Sequence, residues 1–134
     1  MLTLTLHVKP LSLNAATRGR HFPTAEKRDY ETRLRWSLPK VAVVGKPYYR
    51  IAYDFHLVNF ALTDADNLVK VLQDCLVKRG IITDDRKIID YRIRKFPAEV
   101  DRIVVNIDGC DLPVEDTKQI QLVKPEQVYH RLWP

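Results

Sequence analysis

The chain has 134 residues, of which 46% are hydrophobic and 29% are charged, a balance typical of one globular domain with a modest core. This composition argues against a disordered chain, and the longest apolar runs, such as residues 41–44, are too short to span a membrane. Because the N-terminus lacks a basic region followed by an apolar signal core, we expect a cytoplasmic protein.

Positive charge is concentrated in one part of the chain. The net charge is +5, and residues 9–50 hold ten Lys or Arg against three Asp or Glu. Residues 51–78 hold four Asp and two Lys, so the basic and acidic parts are separate. This distribution favours a polyanionic partner, although many basic proteins bind none.

The N-terminal segment combines a strand pattern with a polar stretch. Apolar and polar residues alternate over residues 2–8, which predicts a first strand that ends before Pro10. Residues 10–24 have little apolar periodicity and are predicted to form a loop. Arg18 and Arg20 flank a glycine at its tip, where they could reach phosphate oxygens. The alternative is an ordinary solvated turn.

A helix is predicted over residues 25–38, opened by Pro23 and Thr24 and ended by Pro39. Its apolar face would be formed by Tyr30, Leu34 and Leu38. We expect Trp36 to lie in the core rather than to stack on nucleic-acid bases, since tryptophan is highly buried on average.

Three further strands are predicted from alternation, at residues 48–59, 88–96 and 103–107. The first of these would carry Arg50, Asp54 and His56 on its solvent face, and we assign no role to the histidine. The short connection between the last two predicts that they pair as an antiparallel hairpin. Cys75 and Cys110 have no metal-ligand spacing and are expected to be buried or free thiols.

Between these strands lies a helix with acidic residues around it. Five apolar residues have the spacing of an amphipathic helix, namely Leu68, Val71, Leu72, Cys75 and Leu76. The helix is predicted to begin near Asp66 and to end at Gly80, which follows a Lys-Arg pair. Thr63 and Asp66 resemble a capping box at its start.

Two pairs of carboxylates flank this helix. Asp64 and Asp66 lie at its start, and Asp84 and Asp85 lie just past its end, so the pairs could converge if the intervening loop folds back. A cluster of hard oxygen ligands without His or Cys suits Mg²⁺ or Mn²⁺. The alternative is that these residues are only caps and turn formers, which explains one Asp of each pair but not the second.

The acidic residues and their neighbours form a longer motif: Asp64-x-Asp66-Asn67-Leu68-x-Lys70, then Asp74, Gly80, Asp84-Asp85 and Asp90-Tyr91. This motif resembles that of the RusA family of Holliday junction resolvases, which are small, magnesium-dependent, homodimeric endonucleases often carried by phages and prophages. The similarity covers roughly residues 4–108 and is most specific over residues 64–95.

The resemblance assigns metal binding to three carboxylates and a catalytic role to one lysine. By motif position these are Asp64, Asp66 and Asp85 for Mg²⁺ (with Mn²⁺ as a possible substitute) and Lys70 for catalysis. The metal would activate a water molecule, and Lys70 would stabilise negative charge on the attacked phosphate. Secondary roles are expected for Asn67, Asp74 and Asp84. Asp74 is expected to pair with Lys70 or Lys78, one turn away on the helix.

The resemblance also implies the partner. Branched DNA in the form of a four-way junction would be cut by a homodimer, since two symmetric nicks require two active sites. The residues expected to contact DNA are Arg18, Arg20, Lys27, Arg28 and Arg35. Residues 59–63 lack the basic residues that precede the acidic pair in familiar members, so DNA affinity would depend more on residues 9–50.

The expected fold is α+β, with a small mixed sheet of about four strands and two helices packed on one face. We expect a RusA-like nuclease domain at residues 1–108 and a C-terminal extension at residues 109–134, anchored by Tyr129, Leu132 and Trp133. Three alternative functions stay open at this point: another metal-dependent nuclease or phosphoesterase, a noncatalytic DNA-binding module, and a structural or assembly protein whose charge is incidental.

Overall fold

The computed structural model describes residues 1–12, 17–18 and 22–113. Its strands, in chain order, are β1 (Leu2–Leu6), β2 (Thr17–Arg18), β3 (Phe22–Pro23), β4 (Tyr48–Leu57), β5 (Ile88–Pro97) and β6 (Arg102–Cys110). The α-helices are α1 (Ala25–Ser37) and α2 (Val69–Arg79), and short 3₁₀ helices span Ala65–Leu68 and Asp85–Lys87. None of the helices within these described ranges is long and apolar enough to cross a membrane.

The main sheet has the strand order β1-β6-β4-β5. β4 pairs in parallel with β5 and antiparallel with β6, which in turn pairs antiparallel with β1. The predicted hairpin between residues 88–96 and 103–107 is therefore wrong, because β4 lies between β5 and β6. The link at residues 98–101 can cross the end of one strand, a distance of about 10 Å. Backbone bonding of Ala98 to Leu57 (3.0 Å) fixes that crossing.

Both helices contribute to one core on a single face of the sheet, so the predicted α+β architecture is confirmed. Alternate residues of β4 and β6 point into this core and are almost fully buried, for example Ile51, Tyr53, Phe55, Ile103, Val105 and Ile107. The opposite face of β4 carries exposed Arg50. One sheet face therefore holds the core, and the other is largely polar, as alternation of side chains along a strand requires.

The apolar face predicted for α2 is confirmed, since Leu68, Val71, Leu72, Cys75 and Leu76 are all buried. The helix ends at Gly80, whose φ of 80° is a left-handed conformation that glycine adopts without strain. Its start differs from the prediction, because the first turn is the 3₁₀ helix Ala65–Leu68. The predicted capping box is wrong, since the Thr63 hydroxyl donates instead to the carbonyl of Asn59 at 2.6 Å.

Helix α1 begins and ends close to the predicted residues. Thr24 caps its N-terminus by accepting a hydrogen bond from the amide of Lys27 at 3.2 Å. The predicted apolar face is confirmed by the burial of Tyr30, Leu34 and Leu38. Trp36 is 85% exposed, so its expected place in the core is wrong. Two residues correspond to about 200° around a helix, which turns Trp36 away from the face of Leu34.

The expected solvent exposure of Asp54 is also wrong. Its carboxylate is buried under Arg94, whose guanidinium donates two hydrogen bonds to it, at 2.8 and 2.9 Å. Arg94 also lies over the ring of Phe96, 5.2 Å from its centroid, and that ring stacks with His56. The pair forms because Asp54 and Arg94 lie side by side in the parallel β4–β5 register, which the sequence pattern did not reveal.

The segment predicted as a loop at residues 10–24 contains two short paired strands, β2 and β3, within its described part. Strands of two residues have no periodicity that a sequence pattern could detect. At the other end, β6 continues past the predicted domain limit at residue 108 as far as Cys110. Residues 114–134, with the expected anchors Tyr129, Leu132 and Trp133, lie outside the described residues, so the two-part domain division stays a prediction.

The thiols of Cys75 and Cys110 are free and both residues are buried, as expected. Burial raises the pKa of Cys75 to about 11, so this thiol is protonated at neutral pH.

Leu72 tests the packing of α2, because it is fully buried beneath the sheet-facing side of the helix. Replacing Leu72 with Ala should lower the free energy of unfolding by roughly 2 to 5 kcal/mol, as removal of buried leucine side chains does. Trp36→Ala is the control for a large side chain at an exposed helix position and should cost under about 0.5 kcal/mol. Urea unfolding measures both, and equal losses would contradict this packing.

Asp54 tests the buried ion pair through its pH dependence. The hydrogen bonds from Arg94 lower the pKa of Asp54 in the folded state, so the pair stabilises the fold above the unfolded pKa. This contribution is lost as the pH falls from about 4 through the folded pKa. Asp54→Asn should cost about 1 to 3 kcal/mol at pH 7, and the difference from wild type should shrink in acid.

Asp90→Asn is the matched control for Asp54→Asn, because Asp90 is exposed and lies 3.6 Å from Arg50 in a surface ion pair. We expect almost no change in unfolding free energy, measured at the same series of pH values. A pH-independent loss for Asp54→Asn would contradict a charged interaction with Arg94.

Candidate active site

The first acidic pair lies where the chain passes from β4 towards α2. After β4 ends, residues 58–64 form a loop, and the 3₁₀ helix Ala65–Leu68 runs directly into α2. Asp64 occupies the N-cap position of that 3₁₀ helix but makes no side-chain capping bond. Asp64 and Asp66 are both exposed, and neither carboxylate has a hydrogen bond or ion pair within the described part of the chain. Side-chain capping therefore does not account for either residue.

Lys70 lies one helical turn after Asp66 and is held by two other carboxylates. Its ammonium is 2.9 Å from Asp74 and 3.4 Å from Asp85. The hydrogen bond to Asp74 is the largest of the effects that raise the pKa of Lys70, so the side chain is fully charged at neutral pH. The predicted Lys70–Asp74 pair is thus confirmed, whereas Lys78 pairs with Glu31 of α1 at 3.4 Å.

The second acidic pair divides into two different environments. The chain after α2 folds back and brings Asp85 to 3.4 Å from the ammonium of Lys70, whereas convergence of the two acidic pairs stays a prediction. Asp84 caps the following 3₁₀ helix by accepting the amide of Arg86 at 2.9 Å, and it also binds the Arg86 guanidinium at 2.7 Å. These bonds lower the pKa of Asp84 to about 2. Asp84 therefore acts as a cap and turn former, and Asp85 is the residue of this pair that faces the lysine.

A chain of polar side chains, buried at Tyr53 and Gln73 and exposed at Tyr91, joins this part of α2 to the sheet and was missed in the sequence analysis. The Tyr53 hydroxyl donates to the side-chain oxygen of Gln73 at 3.0 Å, and the Gln73 amide donates to the Tyr91 hydroxyl at 3.4 Å. Burial raises the pKa of Tyr53, so the hydroxyl keeps its proton. Gln73 lies four residues after buried Val69, and this polar residue on an apolar stripe was the available signal. Lys70 is one turn away from this anchor.

The donor groups suit a hard divalent cation, although they do not form a complete cage. Within the described residues, no three Asp, Glu, His or Cys side chains are grouped so that they could hold a metal ion. Mg²⁺ commonly binds through one or two carboxylates, with water and substrate phosphate as its other ligands. Asp64 and Asp66 fit that requirement because their oxygens have no partner among the described residues. Asp85, bonded to Lys70, stays a predicted third ligand.

Some of the basic residues expected to contact DNA form ion pairs with acidic residues of the described part of the chain, and others do not. Lys27 lies 3.8 Å from Glu31, whereas Arg28 and Arg35 are exposed and form no ion pair within the described chain. Arg18 lies in β2, but its side chain is not described, and Arg20 lies outside the described residues.

The beginning of the basic part lies close to the acidic pair. Lys9 and Pro10 line one cleft together with Asn59, Thr63 and Leu68, which come from the loop and turn on either side of Asp64. A polyanion bound at Lys9 would therefore lie beside the loop that carries the carboxylates.

Comparisons of the sequence with known proteins indicate its family. Crossover junction endodeoxyribonuclease RusA from Escherichia coli (strain K12) is 37% identical over 49 residues, which is 37% of this chain and 41% of that protein. The proteins of that name from Shigella sonnei (strain Ss046) and Enterobacteria phage 82 show the same identity and coverage. The aligned part therefore spans about two fifths of these relatives. The family described as Endodeoxyribonuclease RusA matches residues 12–108, and the chain thus belongs to the RusA family.

Proposed function

We propose that the protein is a metal-dependent endodeoxyribonuclease that cuts four-way DNA junctions by paired, symmetric nicks. The observation that carries the proposal is a pair of exposed carboxylates, Asp64 and Asp66, in a chain of the RusA family. They have no bonding partner in the part of the chain that the structure describes, and Asp66 lies one turn before the charged Lys70. Relatives in this family are named crossover junction endodeoxyribonucleases. We expect the enzyme to act in the cytoplasm of a bacterial or phage-infected cell.

Asp64 and Asp66, with Asp85, would hold Mg²⁺, and Mn²⁺ would be an alternative with similar ligand preferences. When bound, such an ion activates water and neutralises charge on the attacked phosphate. Lys70 contributes a second positive charge, which stabilises negative charge on the phosphorus oxygens or on the leaving oxygen. Because Asp74 holds the Lys70 ammonium at 2.9 Å, the lysine is oriented before DNA arrives.

Two neighbouring residues support these groups in different ways. Asp84, bonded to Arg86, fixes the turn that carries Asp85 towards Lys70. Asn67 follows Asp66 directly, and we assign it the role of orienting a carboxylate or a water molecule.

Branched DNA is the proposed partner because the basic residues would bind phosphates and the acidic residues would hold the metal that cuts the backbone. Arg18, Arg20, Lys27, Arg28 and Arg35 would contact phosphates, which positions the duplex without reading its sequence. The unpaired carboxylates would repel phosphate in the absence of a cation, so a purely DNA-binding role fits them poorly. A homodimer would place two such sites across a two-fold axis, as two symmetric cuts require.

The experiment that tests the function is incubation of the protein with a synthetic four-way junction in two parallel reactions, one with Mg²⁺ and one with Mg²⁺ and excess chelator present from the start. Paired nicks in the first reaction and none in the second are the expected result. Linear duplex DNA and RNA of matching sequence are the controls, and equal cutting of either would favour a different phosphoesterase. Binding of the junction without any cutting would favour the noncatalytic alternative.

Asp66 tests the acidic pair directly. Asp66→Asn keeps the shape of the side chain but removes the charge that would hold the metal, so nicking should fall by about 100-fold or more. The unfolding free energy should change little, because the carboxylate is exposed and has no partner in the described chain. Junction affinity measured without metal should be unchanged or tighter, since one charge that repels phosphate has been removed.

Asp108→Asn removes an equivalent exposed charge on β6, 3.9 Å from the terminal ammonium, and serves as the control. Asp64→Asn and Asp85→Asn should resemble Asp66→Asn if the three carboxylates share one site. Near-normal nicking by any of these three variants would remove that residue from the site.

Arg28 and Arg35 test the proposed contacts with DNA. Replacing both with Ala should weaken junction binding and lower the slope of log affinity against log salt by about one per lost phosphate contact. Arg92→Ala is the control, because Arg92 is an exposed cation on the same sheet face as Asp54, opposite the helices. Gel-shift titrations over a range of salt concentrations provide the measurement. A salt slope equal to that of wild type would exclude both arginines from the DNA interface.

A further inference from the structure

The loop that leads into the acidic pair is hydrogen-bonded to a lysine of β5. The Lys95 ammonium donates hydrogen bonds to the backbone carbonyls of Phe60, at 2.8 Å, and Thr63, at 3.0 Å. It also lies 4.5 Å from the centroid of the Phe60 ring. Thr63 immediately precedes Asp64 in the chain. The charge of Lys95 is therefore directed at the backbone next to the first carboxylate.

Lys95 differs from an ordinary surface lysine in its burial and in its bonding partners. Lys95 is partly buried and lies beside fully buried Phe55 in the β4–β5 register, so its stem is on the core side of the sheet. Within the described residues its ammonium has no carboxylate partner, and its two bonds go to main-chain oxygens. Withdrawing a charge from water is costly unless it is well bonded. The two charge-assisted hydrogen bonds and the contact with the face of the Phe60 ring compensate for that cost. They do so only while the loop keeps the conformation that presents these groups to Lys95.

Two further hydrogen bonds hold the same loop. Asp101 accepts the amide of Val58 at 2.9 Å where the loop begins, and the Thr63 hydroxyl donates to Asn59 at 2.6 Å within it. Lys95 is the contact closest to the acidic pair. Its removal would leave the loop joined to β4 but would release the two carbonyls that precede Asp64.

We propose that Lys95 is a positioning residue for the catalytic carboxylates. By holding the carbonyls of Phe60 and Thr63, it fixes the peptide plane before Asp64 and hence the direction in which the Asp64 and Asp66 side chains leave the backbone. It acts through the loop and does not touch the substrate. This inference rests on the proposed nuclease function, but its structural part can be measured without metal or DNA.

The direct test is Lys95→Met, which keeps an unbranched stem of similar length but removes the ammonium. Heteronuclear ¹⁵N NOE measurements on the metal-free protein should show increased motion for the backbone amides of residues 59–66. The Mg²⁺ concentration that gives half-maximal junction nicking should rise by about 10- to 100-fold, as it does when groups that orient metal ligands are lost. Broadening of the same amide signals by Mn²⁺ should need correspondingly more metal.

The matched control is Lys78→Met, which removes the same charge from an exposed lysine at the C-terminal end of α2, where it pairs with Glu31 at 3.4 Å. Its NOE values and metal requirement should equal those of wild type. Lys95→Arg keeps the charge and can still donate to both carbonyls, so it should recover most of the metal affinity. Urea unfolding at each step separates loop ordering from any general loss of stability.

Equal NOE values and an equal metal requirement in Lys95→Met and Lys78→Met would overturn the proposal. If Lys95→Met does not fold, Phe60→Leu removes only the ring under the ammonium and should produce a smaller change of the same kind. An unchanged loop in that variant would also count against positioning by this cluster. If the wild-type protein cuts no junction, the proposed function fails, and the NOE and Mn²⁺ measurements still decide whether Lys95 orders the loop.

Discussion

The parallel pairing of β4 with β5 is the constraint on which the candidate site depends. Parallel neighbours cannot be joined by a tight turn, so the chain must leave the end of β4, cross the sheet face and return to the start of β5. Helix α2 makes that crossing, and its apolar face is buried against the sheet. The loop before the helix and the turn after it are then both held close to the helix surface. Lys70 and Asp85 meet there although 15 positions separate them in sequence.

Four acidic residues of the described chain form two contrasting pairs according to their partners. Asp54 and Asp84 are each bonded by an arginine, which lowers the pKa of both carboxyl groups. Asp54 thereby joins β4 to β5, and Asp84 stabilises the turn after α2. Asp64 and Asp66 have no such partner in the described chain and stay exposed at the start of a helix. An arrangement that leaves two neighbouring carboxylates unsatisfied, while arginines elsewhere satisfy others, is consistent with a cation as their missing partner.

The parts of the fold that could be predicted are those encoded by short-range periodicity. The long strands, both helices and the buried face of α2 follow from spacing alone, and the motif around Asp66 pointed to the family. The order of the strands could not be predicted, because a four-residue link is compatible with a hairpin and with a step across one strand. The buried pair of Asp54 with Arg94 depends on that strand order, so Asp54 was wrongly expected to be exposed. Trp36 failed for a different reason, since average burial of tryptophan was weighed above its position on the helix.

Residues that act through distant backbone atoms are the hardest to find in a sequence. Gln73 was detectable in principle, because a polar side chain on an apolar stripe needs a buried partner. Lys95 carried no such signal, since a lysine near the end of an edge strand is ordinary and its acceptors are carbonyls 35 and 32 positions earlier. Asp101 supplies another bond to the same loop from beyond β5. Lys95 and Asp101, which both bond the loop before Asp64, therefore come later in the chain than the loop itself. The bonds that hold this loop thus depend on the strand order, because they come from β5, which pairs with β4, and from the link that follows β5.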